Sequence, residues 1–279
     1  MLGEGMRCVF FVVVVTTSFL ISCGDLSKKS EKESRASNEQ HLVSADTALT
    51  VAVDENLVLQ LLKKNELTEH DLYTDLDGGS QLSDYFLIEL IDKETFNKNK
   101  STAVNLLVVD TTTIRKEKGV LTLPCLKKEV HFVDNLTSTD NHKEYSYVGQ
   151  IDNLNVYLLS GIYWEDWDYF FVDKTTGKVV HKFLGEPYLS PDSKYIVSLD
   201  VDTFEGVAYI DLYQVGNMRR IDSVVSLYVK KWVPVATTEK MYWGNDNYLY
   251  VAVLHSKDFW AAEGNYAGLD QYIRLKPVA

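Results

Sequence analysis

From about residue 100 onwards the chain repeats one local pattern: a short run rich in Val, Ile, Tyr, Phe and Leu, then a break of Asp, Asn, Gly or Lys. The runs cover 120–123, 130–133, 145–149, 155–159, 169–173, 179–183, 195–199, 207–215, 223–229, 248–254 and 271–275. Short strands at such spacing, with turn residues between them, predict a mainly β fold: an antiparallel meander in a sandwich, barrel or propeller. Asp173-Lys174-Thr175-Thr176-Gly177-Lys178 reads as a hairpin turn with Gly177 at positive φ, so the links between strands are local. Upstream, 104–110 reads as a strand. So does 85–91, where a helix starting from Ser83 is a close alternative. Asp54 as an N-cap ahead of Leu57, Val58, Leu61 and Leu62 predicts a short N-terminal helix near 55–65.

The first 22 residues are of another kind. A polar stretch ending in Arg7 leads into an apolar core from Cys8 through Val15 to Phe19, and Leu20-Ile21-Ser22 precede Cys23. A positive charge, an apolar stretch and a small residue before a cut predict a secretion signal at 1–22. The apolar run is shorter than the ~20 residues of a spanning helix, which counts against a transmembrane anchor. Residues 24–47 are rich in Ser, Lys, Glu and Asn and hold almost no large apolar side chain. Such a segment cannot offset its conformational entropy by burial, so 23–47 is expected to be a tether and 48–279 the globular domain.

Leu20-Ile21-Ser22-Cys23 resembles the lipobox of bacterial lipoproteins. That resemblance implies cleavage after Ser22, diacylation of the Cys23 sulfur and acylation of its new amino group. The product would be a lipoprotein anchored in a membrane of the bacterial cell envelope, outside the cytoplasm. One acyl chain holds only marginally, and two or three make the anchor stable. Of the 3 cysteines, Cys8 would leave with the signal and Cys23 would carry lipid, so Cys125 would have no disulfide partner. Its L-P-C-L setting reads as a small buried apolar residue.

A second resemblance lies at Ser190-Pro191-Asp192-Ser193-Lys194-Tyr195-Ile196-Val197-Ser198. It resembles the S-P-D-G-K element of Tol-type and WD-like β-propeller repeats, with Ser193 where the repeat has Gly. Weaker echoes stand at 151–158 and 243–251. The three apolar starts, Tyr157, Tyr195 and Tyr248, are 38 and 53 residues apart, whereas blades repeat at roughly 40 to 50. The resemblance spans 145–279 and implies a propeller-like meander of irregular period. The run from Thr176-Gly177-Lys178 to Gly185-x-Pro187-x-x-Ser190-Pro191-Asp192 is also similar to uncharacterised bacterial secreted proteins, a likeness that implies no activity.

The net charge of −12 argues against nucleic acid as a partner, since phosphate binding needs a basic patch. His41, His70, His131, His142, His181 and His255 never pair at i, i+4, and no zinc, nucleophile-elbow, P-loop or dinucleotide pattern occurs. No catalytic residue, metal ligand or cofactor is therefore expected. Two acidic patches remain, Glu165-Asp166-Trp167-Asp168 and Asp200 to Glu205. Paired carboxylates at suitable separation would serve glycoside hydrolysis, and Asp200 and Asp202 share one strand face, as a calcium site would need. The plainer reading is loop carboxylates on an acidic surface. Among 17 Tyr and 5 Trp, Tyr163, Trp164 and Trp167 crowd one loop, and amphipathic rings beside polar groups suit a contact surface as well as sheet packing. The expected function is a non-enzymatic binding or scaffolding module held at the membrane by lipid on Cys23, with an envelope protein or polysaccharide as partner. The alternative is an extracytoplasmic hydrolase of glycan or peptide.

Overall fold

The computed structural model describes residues 65–73, 81–137, 139–164, 166–202, 207–235, 240–261 and 268–278. The expected signal, Cys23, the tether and the 55–64 part of the expected helix lie outside the described residues, as do Glu165 and 203–206.

The fold is mainly β, and its sheets are antiparallel. β1 (Phe86–Ile91), helix α1 (Lys93–Asn99) and β2 (Ala103–Val104) come first. β3 (Lys116–Glu117), β4 (Val120–Pro124) and β5 (Glu129–Val133) then form a three-stranded meander. β6 (Lys143–Ile151), β7 (Val156–Tyr163), β8 (Trp167–Asp173) and β9 (Val179–Phe183) make a second sheet in chain order. β10 (Glu186–Leu189), β11 (Tyr195–Asp202), β12 (Val207–Val215) and β13 (Ile221–Val229) make a third. The last sheet contains β14 (Trp232–Pro234), β15 (Met241–Gly244), β16 (Leu249–His255) and β17 (Gln271–Pro277), with helix α2 (Ser256–Ala261) between β16 and β17. It also takes in β1 beside β17 and β2 beside β15.

Successive residues of a strand point to opposite faces, and here both faces are covered. Leu159 of β7 and Phe170 and Val172 of β8 pack with Leu121 and Leu123 of the first sheet. Leu158 and Phe171, one residue away, pack with Ile196 and Tyr213 of the third. In the third sheet Val197, Leu199, Ile210 and Leu212 turn to the last sheet's Val251, Val253, Ile273 and Leu275. Strands buried on both faces lose the alternation of a half-exposed sheet and read as continuous apolar runs. The run at 207–215 coincides with β12, whose first seven residues are all buried.

A residue with positive φ stands at the turn between the first two strands of each meander: Gly119 (φ 76), Asn155 (φ 57), Ser193 (φ 58) and Asn247 (φ 63). Ser193 takes the left-handed conformation that the S-P-D-G-K pattern gives to glycine. Ser190 Oγ donates to Asp192 and accepts from the Tyr195 N–H, which closes that turn.

Several expectations need correction. Of the expected strand 104–110 only Val104 lies in a strand, β2, and Val108 makes a single bridge to Gln150. Asn105 Oδ1 accepts the Leu107 N–H and Asp110 Oδ1 those of Thr112 and Thr113, and such side-chain turns compete with a ladder. Residues 86–91 do form the expected strand, rather than the alternative helix starting from Ser83. Helix α1, capped by Asp92 accepting from the Thr95 N–H, was not expected, nor were helix α2 and strands β3, β10, β14 and β15.

Gly177 has φ +70, and an added Cβ would stand 2.2 Å from Val130 Cγ2; at Gly119, φ +76, the nearest atom would be 3.5 Å away. Gly119→Ala should therefore cost only the left-handed strain, about 1 to 2 kcal/mol. Gly177→Ala should cost at least ~1 kcal/mol more through overpacking. Urea unfolding midpoints of the two variants check the order.

Candidate functional site

Edge strand β10 reads Glu186-Pro187-Tyr188-Leu189, and proline is tolerated there because an edge has ladder positions that need no N–H. The Tyr188 carbonyl accepts from Trp243 Nε1 at 3.2 Å, which ties β10 to β15 of the neighbouring sheet. Beside this tie lies a cavity of about 260 Å³. Pro187, Leu189, Met241 and Trp243 form its buried floor, while Lys100, Ala103 and Asn105 form an exposed rim. Tyr188 adds a further ring, and Ile151 closes one end.

Glu186 is the one carboxylate lining this cavity among the described residues. The Tyr188 hydroxyl donates to its Oε2 at 3.1 Å. Burial pushes the Glu186 carboxyl above the ordinary range, and the Tyr188 hydroxyl pulls only partly against this. Burial also raises the Tyr188 phenol, and the charge of Glu186 raises it further. Tyr169 is raised by its own burial and by the negative charges of Glu186 and Asp200. No lysine or arginine is ion-paired with Glu186 among the described residues.

The aromatic residues singled out from sequence fall together on the β7–β8 hairpin, in unequal settings. Tyr163 is partly buried; its hydroxyl donates to Asp168 Oδ1 at 2.9 Å and its ring lies edge-on to Tyr145. Lys182 pairs with the other Asp168 oxygen at 2.6 Å and lies 5.8 Å from the centre of the Tyr163 ring. Burial, then the bond to Asp168, drive the Tyr163 phenol far up. Trp164 is exposed at 49%, and Trp167, half-buried, pairs with Ile162 across the hairpin. Tyr163 is thus a pinned structural residue, and Trp164 carries the open surface of this group.

Of the acidic patches, Asp168 is occupied by Tyr163 and Lys182, and the Tyr209 hydroxyl lies 3.5 Å from Asp202. Neither Asp200 nor Asp202 lines the cavity. No group of three or more His, Cys, Asp or Glu side chains that could hold a metal ion occurs among the described residues. Cys125 is a free, buried thiol raised by burial, as its apolar setting implied.

Sequence reading missed Glu186, Tyr188 and Trp243. A clue was present, because Glu186 is a lone charge between apolar neighbours in the G-x-P-x-x-S-P-D run. Its cavity, however, is assembled from residues 100–107, 186–189 and 241–243, and no local pattern joins these.

A carboxyl whose folded pKa lies above its unfolded 4.5 binds more protons when folded, so its contribution to stability falls as pH rises above 4.5. Glu186→Gln removes this loss while keeping an oxygen for Tyr188. The stability of the variant relative to the parent should rise between pH 4 and pH 8, as read from urea midpoints at both. On the hairpin, Tyr163→Phe should cost about 1 kcal/mol through the lost hydrogen bond. Trp164→Ala should stay within about 0.5 kcal/mol. Thermal unfolding of both variants distinguishes the pinned residue from the open one.

Compared with known proteins, the chain matches no family model, no curated protein and no solved structure, so its site is read from its own geometry.

Proposed function

We propose that the chain is a lipid-anchored, extracytoplasmic protein of the bacterial envelope that works as a binding module, without a chemical step. The observation that carries the binding reading is the cavity between β10 and β15: an apolar floor, the aromatic side chains of Tyr188 and Trp243 and a single carboxylate. Binding sites are mostly apolar concavities with a few placed polar groups. Hydrolysis by a carboxylate pair needs two facing acids, and Glu186 has no such counterpart among the described lining residues. The exposed Trp164, with Trp167 beside it, is the proposed contact for an envelope protein or polysaccharide.

We read the β architecture as propeller-like. Four antiparallel meanders follow one another in sequence, neighbouring meanders share cores, and the echoed turns at Asn155, Ser193 and Asn247 recur between first and second strands. The last sheet is completed at one edge by β1, from the opposite end of the described chain. The cavity lies beside the first strand of the third sheet, on the side where a propeller has its channel.

Anchoring rests on the lipobox-like Leu20-Ile21-Ser22-Cys23. Among the described residues no helix is long and apolar enough to cross a membrane. Expressed in a bacterium, the chain should fractionate with membranes and begin at an acylated Cys23 by mass spectrometry, and Cys23→Ser should move it to the soluble fraction. An unchanged distribution of that variant would overturn the anchor. Cross-linking in the native envelope should capture a protein or glycan partner, and Trp164→Ala should reduce that capture at least threefold.

A further inference from the structure

Resting on the binding reading of the cavity, we propose that its ligand is a small organic cation, an ammonium group carried on a compact apolar body. A carboxylate withdrawn from water is costly unless a positive charge or several donors compensate it. Asp168, with a side chain only 13% exposed, has such a partner in Lys182 at 2.6 Å. Glu186 has one neutral donor, the Tyr188 hydroxyl, and no lysine or arginine pair among the described residues. The missing positive charge is what a cationic ligand would bring.

The remaining lining fits that ligand. Tyr188 and Trp243 supply aromatic surfaces, whose negative faces attract cations, most strongly when water is excluded. The rings are held in place before any ligand arrives. Tyr188 is bonded to Glu186, and Trp243 donates to the Tyr188 carbonyl. Met241, Leu189 and Pro187 offer apolar contact for methyl or methylene groups. At about 260 Å³ the cavity lies just below the range of roughly 300 to 1,000 Å³ typical of ligand sites, so the ligand is small. An anion would meet the negative charge of Glu186.

The test uses the full chain in detergent and titration calorimetry with three probes: choline, tetramethylammonium and 3,3-dimethylbutan-1-ol, the neutral carbon analogue of choline. Choline should bind with one-to-one stoichiometry and at least tenfold tighter than the alcohol, with tetramethylammonium also retained. Glu186→Gln should weaken choline at least tenfold and leave the alcohol unchanged. Ala103→Trp, at the exposed rim, should block all three probes, and circular dichroism verifies that both variants are folded. If the alcohol binds as tightly as choline and Ala103→Trp blocks it, the cavity is a binding site and the ammonium assignment is wrong. If choline binding survives both substitutions it occurs elsewhere, and the assignment is again overturned. If no probe binds the parent chain, the ammonium assignment and the binding reading of the cavity both fall.

Discussion

Leu158 and Leu159 are neighbours in one strand, yet they belong to different hydrophobic cores. The same division runs through Ile196 and Val197 in the next sheet. No inner sheet therefore has a free face to give to solvent, and each depends on the sheets before and after it. At about 25 cal/mol per Å² of apolar surface buried, this two-sided coverage is the dominant favourable contribution to folding. It also explains how the chain does without a disulfide at Cys125, the one cysteine among the described residues.

Coverage on both faces sets where function can sit. With the faces occupied, what remains open are strand edges, hairpin tips and the space beside the first strands. The cavity uses the third of these and Trp164 the second. At the cavity the Tyr188 carbonyl accepts an indole N–H from the neighbouring sheet, so the bond that joins β10 to β15 also orders the wall of the site. The carboxylate at the start of β10 is held by the phenol two residues along, on the same face of the strand. Glu186, Tyr188 and Trp243 thereby form one unit drawn from two sheets.

The strand pattern was legible because it is local. Continuous apolar runs bounded by turn residues located β4 to β9, β11 to β13, β16 and β17 to within a few residues, and Gly177 does take the positive φ read from its turn. Short elements escaped. β14 and β15 are three and four residues long, too few for a period to register, and β10 hides behind its proline. Residues 105–110 have strand-like composition, but Asn105 and Asp110 turn the backbone aside with their own side chains. The candidate site was barely legible, because distant segments build it. The aromatic cluster was visible, but composition could not separate Tyr163, fastened to Asp168, from Trp164, which is fastened to nothing comparable.

The ladder between β1 and β17 pairs Phe86 with Pro277 and Ile91 with Tyr272, so two ends of the described chain lie side by side as six matched positions. Contacts of such sequence separation form late, because the loop between them must first be closed. β1 emerges from synthesis well before its partner β17, with the other sheets made in between. An apolar strand with one edge unmatched must therefore wait while the intervening sheets are produced, and unpaired edges invite association with other chains. The arrangement makes the domain all-or-none with respect to its own length: a product that stops short of β17 leaves β1 without its place in the last sheet.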